Sequence, residues 1–167
     1  MTLPLHIQAI IFDFDGVLTN DKVYIDQDGR EMVCCSRKDG IGFDLLRDTN
    51  LKIFIVSTER NPVVTRRGEK LRIPVLQGVC DKAATIRELA TKHNFCLSQT
   101  LFIGNDINDL PAMRICGYSA CPRDSNQLIL SEASFVLKTK GGDGVAREIA
   151  ESILSIDALA LWKSKSL

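Results

Sequence analysis

Ala9-Ile10-Ile11-Phe12-Asp13-Phe14-Asp15-Gly16-Val17 decides how this chain is to be read. The apolar run predicts a strand from Ala9 to Phe14, buried on both faces as strands of a parallel sheet are. Two carboxylates stand two residues apart where that strand ends, and Gly16 permits a sharp turn directly after them. In an open α/β sheet, ligands bind outside the carboxyl ends of the strands. An acidic pair at this point therefore occupies a position suited to chemistry.

On either side of this strand the pattern alternates. Lys22–Asp26 and Glu31–Cys35 are short strand candidates separated by the turn signal Gln27-Asp28-Gly29, which predicts a projecting β-hairpin. A short helix is expected over Gly40–Asp48 and a core strand over Lys52–Ser57. Pro62 suits the first turn of a helix running to Leu71. Val75-Leu76 reads as a short strand, and Lys82–His93 as an amphipathic helix with Asp81 as its N-cap. Thr100–Ile103 is the next apolar strand and leads into the acidic loop Gly104–Asp109. A helix over Pro111–Ile115 and strands at Tyr118–Ala120 and Phe135–Leu137 follow. Then come a glycine-rich turn at 141–144 and a last helix over Gly144–Ile153. Strands alternating with helices imply a Rossmann-like three-layer α/β sandwich around a mainly parallel sheet. Residues 1–167 are expected to form a single domain.

Composition narrows the function classes. The 167 residues carry 21 basic and 21 acidic side chains, a formal net charge of zero. No global field therefore favours nucleic acid or an anionic membrane. Neither a signal-peptide core nor a stretch approaching ~20 apolar residues occurs, so no membrane partner is expected. The six cysteines show no C-x-x-C spacing, which leaves zinc without a ligand pattern and fits reduced thiols in the cytoplasm.

Four groups of polar residues follow the strands in order. Asp13 and Asp15 supply a nucleophile and a proton donor. Ser57, with Thr58 beside it, places a hydroxyl where a phosphoryl oxygen could be bound. Lys82, at a helix start, could pair with phosphate and with the nucleophile's carboxylate. Asn105, Asp106 and Asp109 offer hard oxygens suited to Mg²⁺. Taken singly, each has a plainer reading: a solvated acidic turn, a helix N-cap, a surface lysine, an Asx-rich turn. Their order favours one site, because three of the four close apolar strands of one sheet.

This order resembles the haloacid dehalogenase superfamily of phosphohydrolases across nearly the whole chain. The resemblance implies Asp13 as nucleophile, Asp15 as acid and base, Ser57 as the second-motif hydroxyl and Lys82 as the third-motif lysine. It implies Mg²⁺ held by Asp13, Asp15 and the loop with Asn105, Asp106 and Asp109. Residues 16–56 are consumed by a hairpin and a helix, and 58–81 by a helix and a short strand, which leaves no room for a cap domain. The stretches Asp13–Asn20, Arg37–Gly40, Gln77–Lys82 and Gly141–Glu148 look like the capless sugar-acid phosphatases. That subgroup is tetrameric, which implies a homotetramer closed by its hairpins. Its substrates are phosphorylated sugar acids. Glu59 and Lys70 resemble the nonulosonate 9-phosphate enzymes more than the 3-deoxy-manno-octulosonate 8-phosphate ones. Arg147 is a further candidate for substrate contact, and Arg66 and Arg67 for anion contact. The C-terminal domain of animal CMP-sialate synthetases is also similar, so the alternative is a non-catalytic tetramerisation module linked to a CMP-sugar synthetase.

One position departs from the family pattern. Asn105 stands where the subgroup usually has a metal-binding carboxylate, which removes one negative charge from the expected site. The tail, with Leu159, Leu161 and Trp162, is apolar enough to dock on a neighbouring subunit.

Overall fold

The computed structural model describes residues 6–159. At its centre is β1 (Ala9–Phe12), whose four residues are all fully buried. It pairs in parallel with β4 (Lys52–Val56) on one side and β6 (Thr100–Ile103) on the other. With β5 (Val75–Leu76), β7 (Tyr118–Cys121) and β8 (Phe135–Val136), the sheet runs β5-β4-β1-β6-β7-β8, and every pairing is parallel. The carboxyl ends of β4, β1 and β6 therefore lie side by side, as the expected convergence requires.

Alternation along the strands divides the core in two. Ile10, Phe12, Ile55, Leu101 and Ile103 face helices α1 (Arg37–Arg47), α2 (Val63–Leu71) and α6 (Val145–Glu148) through Phe43, Leu46, Val64 and Val145. Ala9, Ile11, Phe54 and Phe102 face α3 (Lys82–His93), α4 (Leu110–Ile115) and α5 (Gln127–Glu132) through Ile86, Leu89, Met113 and Ile129. This is the three-layer sandwich expected, and the described residues include no cap.

The differences are local. β1 ends at Phe12 and β4 at Val56, which puts Asp13 and Ser57 just past the strands. Helix α1 starts three residues early, because Ser36 caps it by accepting from Lys38 N at 3.1 Å. In the hairpin, β2 (Thr19–Ile25) starts earlier than expected and pairs antiparallel with β3 (Glu31–Cys35) across a register shift between Thr19 and Val23. Helix α5, capped by Asn126, was not expected at all. The last helix splits into α6 and a wider π turn over Ile149–Ile153. The tail residues Leu161 and Trp162 lie outside the described residues. No helix among those described is long and apolar enough to cross a membrane.

Candidate active site

Asp13 is the first residue beyond β1, and its amide still donates to Ile103 O at 2.8 Å, so the strand ladder fixes its backbone. Lys82 opens α3 behind its N-cap, Asp81, which accepts from Ala84 N at 2.9 Å. The capped helix start aims Lys82 inward. Its Nζ lies 2.7 Å from Asp13 Oδ1 and 2.5 Å from Asp109 Oδ1, with all three side chains buried. The expected pairing of Lys82 with the Asp13 carboxylate is thus present, and Asp109 joins it.

The electrostatics follow from this count. Burial alone would lower the Lys82 ammonium, but Asp13 and Asp109 outweigh it and hold the group charged. Burial and the neighbouring Asp109 push the Asp13 carboxyl up to about 8, against the pull of Lys82. Two buried carboxyl groups share one ammonium, so Asp13 tends to keep its proton until another cation joins the cluster.

Asp109 folds the acidic loop as well. Its Oδ2 accepts from Asn105 N at 2.9 Å and Asp106 N at 3.3 Å. Gly104 permits the close approach, since a Cβ there would sit 2.6 Å from that of Asp109. With Oδ1 on Lys82 and Oδ2 on two amides, Asp109 is engaged in holding the lysine and the loop. It is a positioning partner of Lys82, which its loop spacing alone did not reveal. Asp106 is exposed and uses Oδ1 to accept from Ile107 N at 2.7 Å. Asn105 is half-buried and lies over Gly16, whose φ of 71° and missing Cβ leave room for the carboxamide. Asn105 thus reaches the turn that follows the acidic pair.

The remaining candidates divide. Ser57, buried beyond β4, accepts from Glu59 N at 3.1 Å, which leaves its O–H to donate. Asp15 is half-buried; burial first and then the charge of Glu59 raise its carboxyl above the ordinary value of 3.8. The charge of Glu59 thus acts on Asp15, and its Oε1 accepts from Arg60 N and Asn61 N. Thr58 is exposed beside them. Lys70 is elsewhere. Helix α2 begins beyond the carboxyl end of β4 and runs back to the parallel strand β5, so its last turn lies towards the opposite edge from Asp13. Arg147 pairs with Glu151 at 2.9 Å in a cleft of about 390 Å³ shared with Lys38, Lys138 and Asp143. Arg66 pairs with Glu69 at the surface, and Arg67 ties α2 to α1 by donating to Ser36 O at 2.7 Å.

Comparison with known proteins places the chain in a family. A sequence profile of haloacid dehalogenase-like hydrolases matches residues 58–149. The 3-deoxy-D-manno-octulosonate 8-phosphate phosphatase of Haemophilus influenzae is 31% identical over 150 residues, 89% of this chain and 83% of that protein. The chain belongs to the haloacid dehalogenase-like hydrolases. Within that family it falls in the capless subgroup of its phosphatase relatives. A crystal structure of a HAD-family hydrolase from Streptomyces avermitilis superposes with a TM-score of 0.88 at 41% identity, covering 91% of this chain and 88% of that one. A structure of the octulosonate phosphatase of Moraxella catarrhalis, in complex with magnesium, phosphate and the sugar acid, gives a TM-score of 0.89 at 25% identity. There the coverage is 98% of this chain and 95% of that one.

The donor set fits the divalent metal of this family. Among the described residues no three His, Cys, Asp or Glu side chains are disposed to hold an ion alone. Mg²⁺ does not require this, since it commonly takes one or two carboxylates, waters and a substrate phosphate oxygen. The Asp13 carboxylate, the Asp15 backbone carbonyl and the Asn105 carboxamide supply hard oxygens, and a cation beside Asp13 would take the place of the proton that burial and Asp109 hold there.

Proposed function

We propose that this chain is a Mg²⁺-dependent phosphatase acting on a phosphorylated sugar acid through an aspartyl-phosphate on Asp13. The observation that carries this reading is Asp13, buried beyond β1 on Lys82 and two residues before Asp15. Asp13 attacks phosphorus, and the bond from phosphorus to the sugar oxygen breaks. Asp15 gives its proton to that leaving oxygen. It then takes a proton from the water that attacks the aspartyl-phosphate, which returns Asp13 and releases phosphate. Lys82 offsets charge on the transferring group, and Ser57 donates a hydrogen bond to it. A bound divalent ion, held by the Asp13 carboxylate, the Asp15 backbone carbonyl and Asn105, would offset phosphoryl charge and reduce repulsion of the attacking carboxylate, leaving the Asp15 carboxyl to move the proton.

Two substrates fit. The motif Ser57-Thr58-Glu59, with the charge of Glu59 acting on Asp15, favours a nonulosonate 9-phosphate, since a carboxylate there can accept from sugar hydroxyls. The Haemophilus relative supports 3-deoxy-manno-octulosonate 8-phosphate. Steady-state phosphate release from both esters with Mg²⁺ decides between them, and the nonulosonate ester is expected to have the higher kcat/KM. No release from either would overturn the reading.

We read residues 1–167 as one capless domain whose open site is closed by other copies in a homotetramer. Val23, Tyr24, Ile25 and Met32 of the hairpin are at least half exposed, an apolar surface suited to burial against neighbouring hairpins. Lys70, remote from its own Asp13, then contributes to a neighbouring subunit's site. All six cysteines are unbridged, in keeping with a cytoplasmic enzyme.

A further inference from the structure

Thr19 lies four residues after Asp15, fully buried at the root of the hairpin. A threonine hydroxyl has one proton and two lone pairs. Gly16 N donates to its Oγ1 at 3.2 Å, and Asp21 N does so at 3.2 Å, so both lone pairs are taken. The one proton is left for Asp15 Oδ1, 3.4 Å away. The two amides are themselves fixed. Gly16 has φ 71° in the turn after the acidic pair, and Asp21 has φ 61° where the hairpin register shifts. Gly142 N closes the same turn from the other side by donating to Val17 O at 2.9 Å.

We infer that Thr19 is a positioning residue that determines which oxygen of Asp15 handles the proton. Thr19 has only a proton to offer in that direction, so Oδ1 accepts there and cannot also present the acidic hydrogen to it. The proton given to the leaving oxygen, and the one later taken from water, is therefore held on Oδ2. The same contact keeps the carboxyl in one rotamer through both steps, with Oδ2 turned from the hairpin root. This deepens the proposed function and rests on Asp15 acting as acid and base. The sequence signal was only a threonine four residues beyond an acidic residue in a glycine turn.

Two esters separate this role from a merely structural one. An alkyl phosphate, 3-deoxy-manno-octulosonate 8-phosphate, needs its leaving oxygen protonated, whereas p-nitrophenyl phosphate loses a stable phenolate without help. Positioned proton transfer contributes about 10²–10⁴-fold in rate, so Thr19→Val is expected to lose about 10-fold or more in kcat on the alkyl ester, with KM little changed. On p-nitrophenyl phosphate the loss should stay within about 3-fold, because that ester bypasses the acid. Thr19→Ser, which keeps the proton and both lone pairs, should restore the alkyl rate. If Thr19→Val does not fold, Thr19→Ala is read the same way. An equal loss on both esters, or a Ser variant as impaired as the Val or Ala variant, overturns the inference while leaving the phosphatase reading intact. A wild-type protein that hydrolyses neither p-nitrophenyl phosphate nor the octulosonate or nonulosonate ester overturns both.

Discussion

Asp39 shows how one buried side chain can tie pH to stability outside the reacting groups. It is buried in the first turn of α1, and its Oδ1 accepts from Ala146 N of α6 at 2.9 Å while Oδ2 has no partner. Burial, only partly offset by the Ala146 amide and by Arg67, raises its carboxyl from 3.8 to about 6. Between those two values the folded protein keeps a proton that the unfolded chain has released. The stability from this group is thus full below 3.8 and is lost as pH rises to about 6. Asp39→Asn keeps an oxygen for Ala146 N and cannot titrate. Thermal melts across that interval should slope down less steeply for the variant than for the wild type. Identical slopes would show that Asp39 does not carry this dependence. At Lys82 the prediction concerns charge balance. Lys82→Met leaves Asp13 and Asp109 facing each other without a cation, and breaking a buried pair in this way costs about 3–5 kcal/mol. Urea unfolding should show that loss, and phosphate release should fall with it.

At the scale of elements, the caps place the chemistry. Asp81 caps α3 directly before Lys82, whereas Ser36 caps α1, which carries none of the reacting groups. Losing either cap costs about 1 kcal/mol. A chain of this size should then melt ~2–4 °C lower for each variant. Asp81→Ala should also reduce kcat, because the ammonium loses its fixed helix start, while Ser36→Ala should leave kcat nearly unchanged. Equal kcat in the two variants would argue against cap-directed placement of Lys82. The strand ends were legible in the sequence because strand and chemistry are local there: the apolar run and the polar residue closing it are neighbours. The paired role of Asp109 was not, since it depends on Lys82, 27 residues away in sequence. Helix α5 escaped notice because it is six residues long and buries only Ile129. The start of α1 was misjudged because Gly40 looked like a boundary, whereas Ser36 supplies the cap.

For the whole molecule, the short connections that leave no cap also leave the acidic edge open. The hairpin beside it exposes Tyr24 at 56% and Ile25 at 67%. Replacing Val23, Tyr24 and Ile25 with serine should convert a homotetramer to smaller species in size-exclusion chromatography with light scattering. Phosphatase activity should fall with it, because the open acidic edge then loses the walls that neighbouring copies are proposed to supply. A monomeric wild-type protein with full activity would refute the closure by neighbouring subunits. The fold class was legible because the βα alternation runs the length of the chain. The oligomer rests on a surface pattern, which the sequence offers only as apolar residues in a hairpin.

The most direct test of the account is phosphate release by the wild type and Asp13→Asn from octulosonate 8-phosphate and nonulosonate 9-phosphate with Mg²⁺. The substitution keeps the size of the side chain and removes the attacking carboxylate. Turnover by the wild type and none by the variant is the predicted result. A variant that releases phosphate at a near wild-type rate would contradict attack by Asp13.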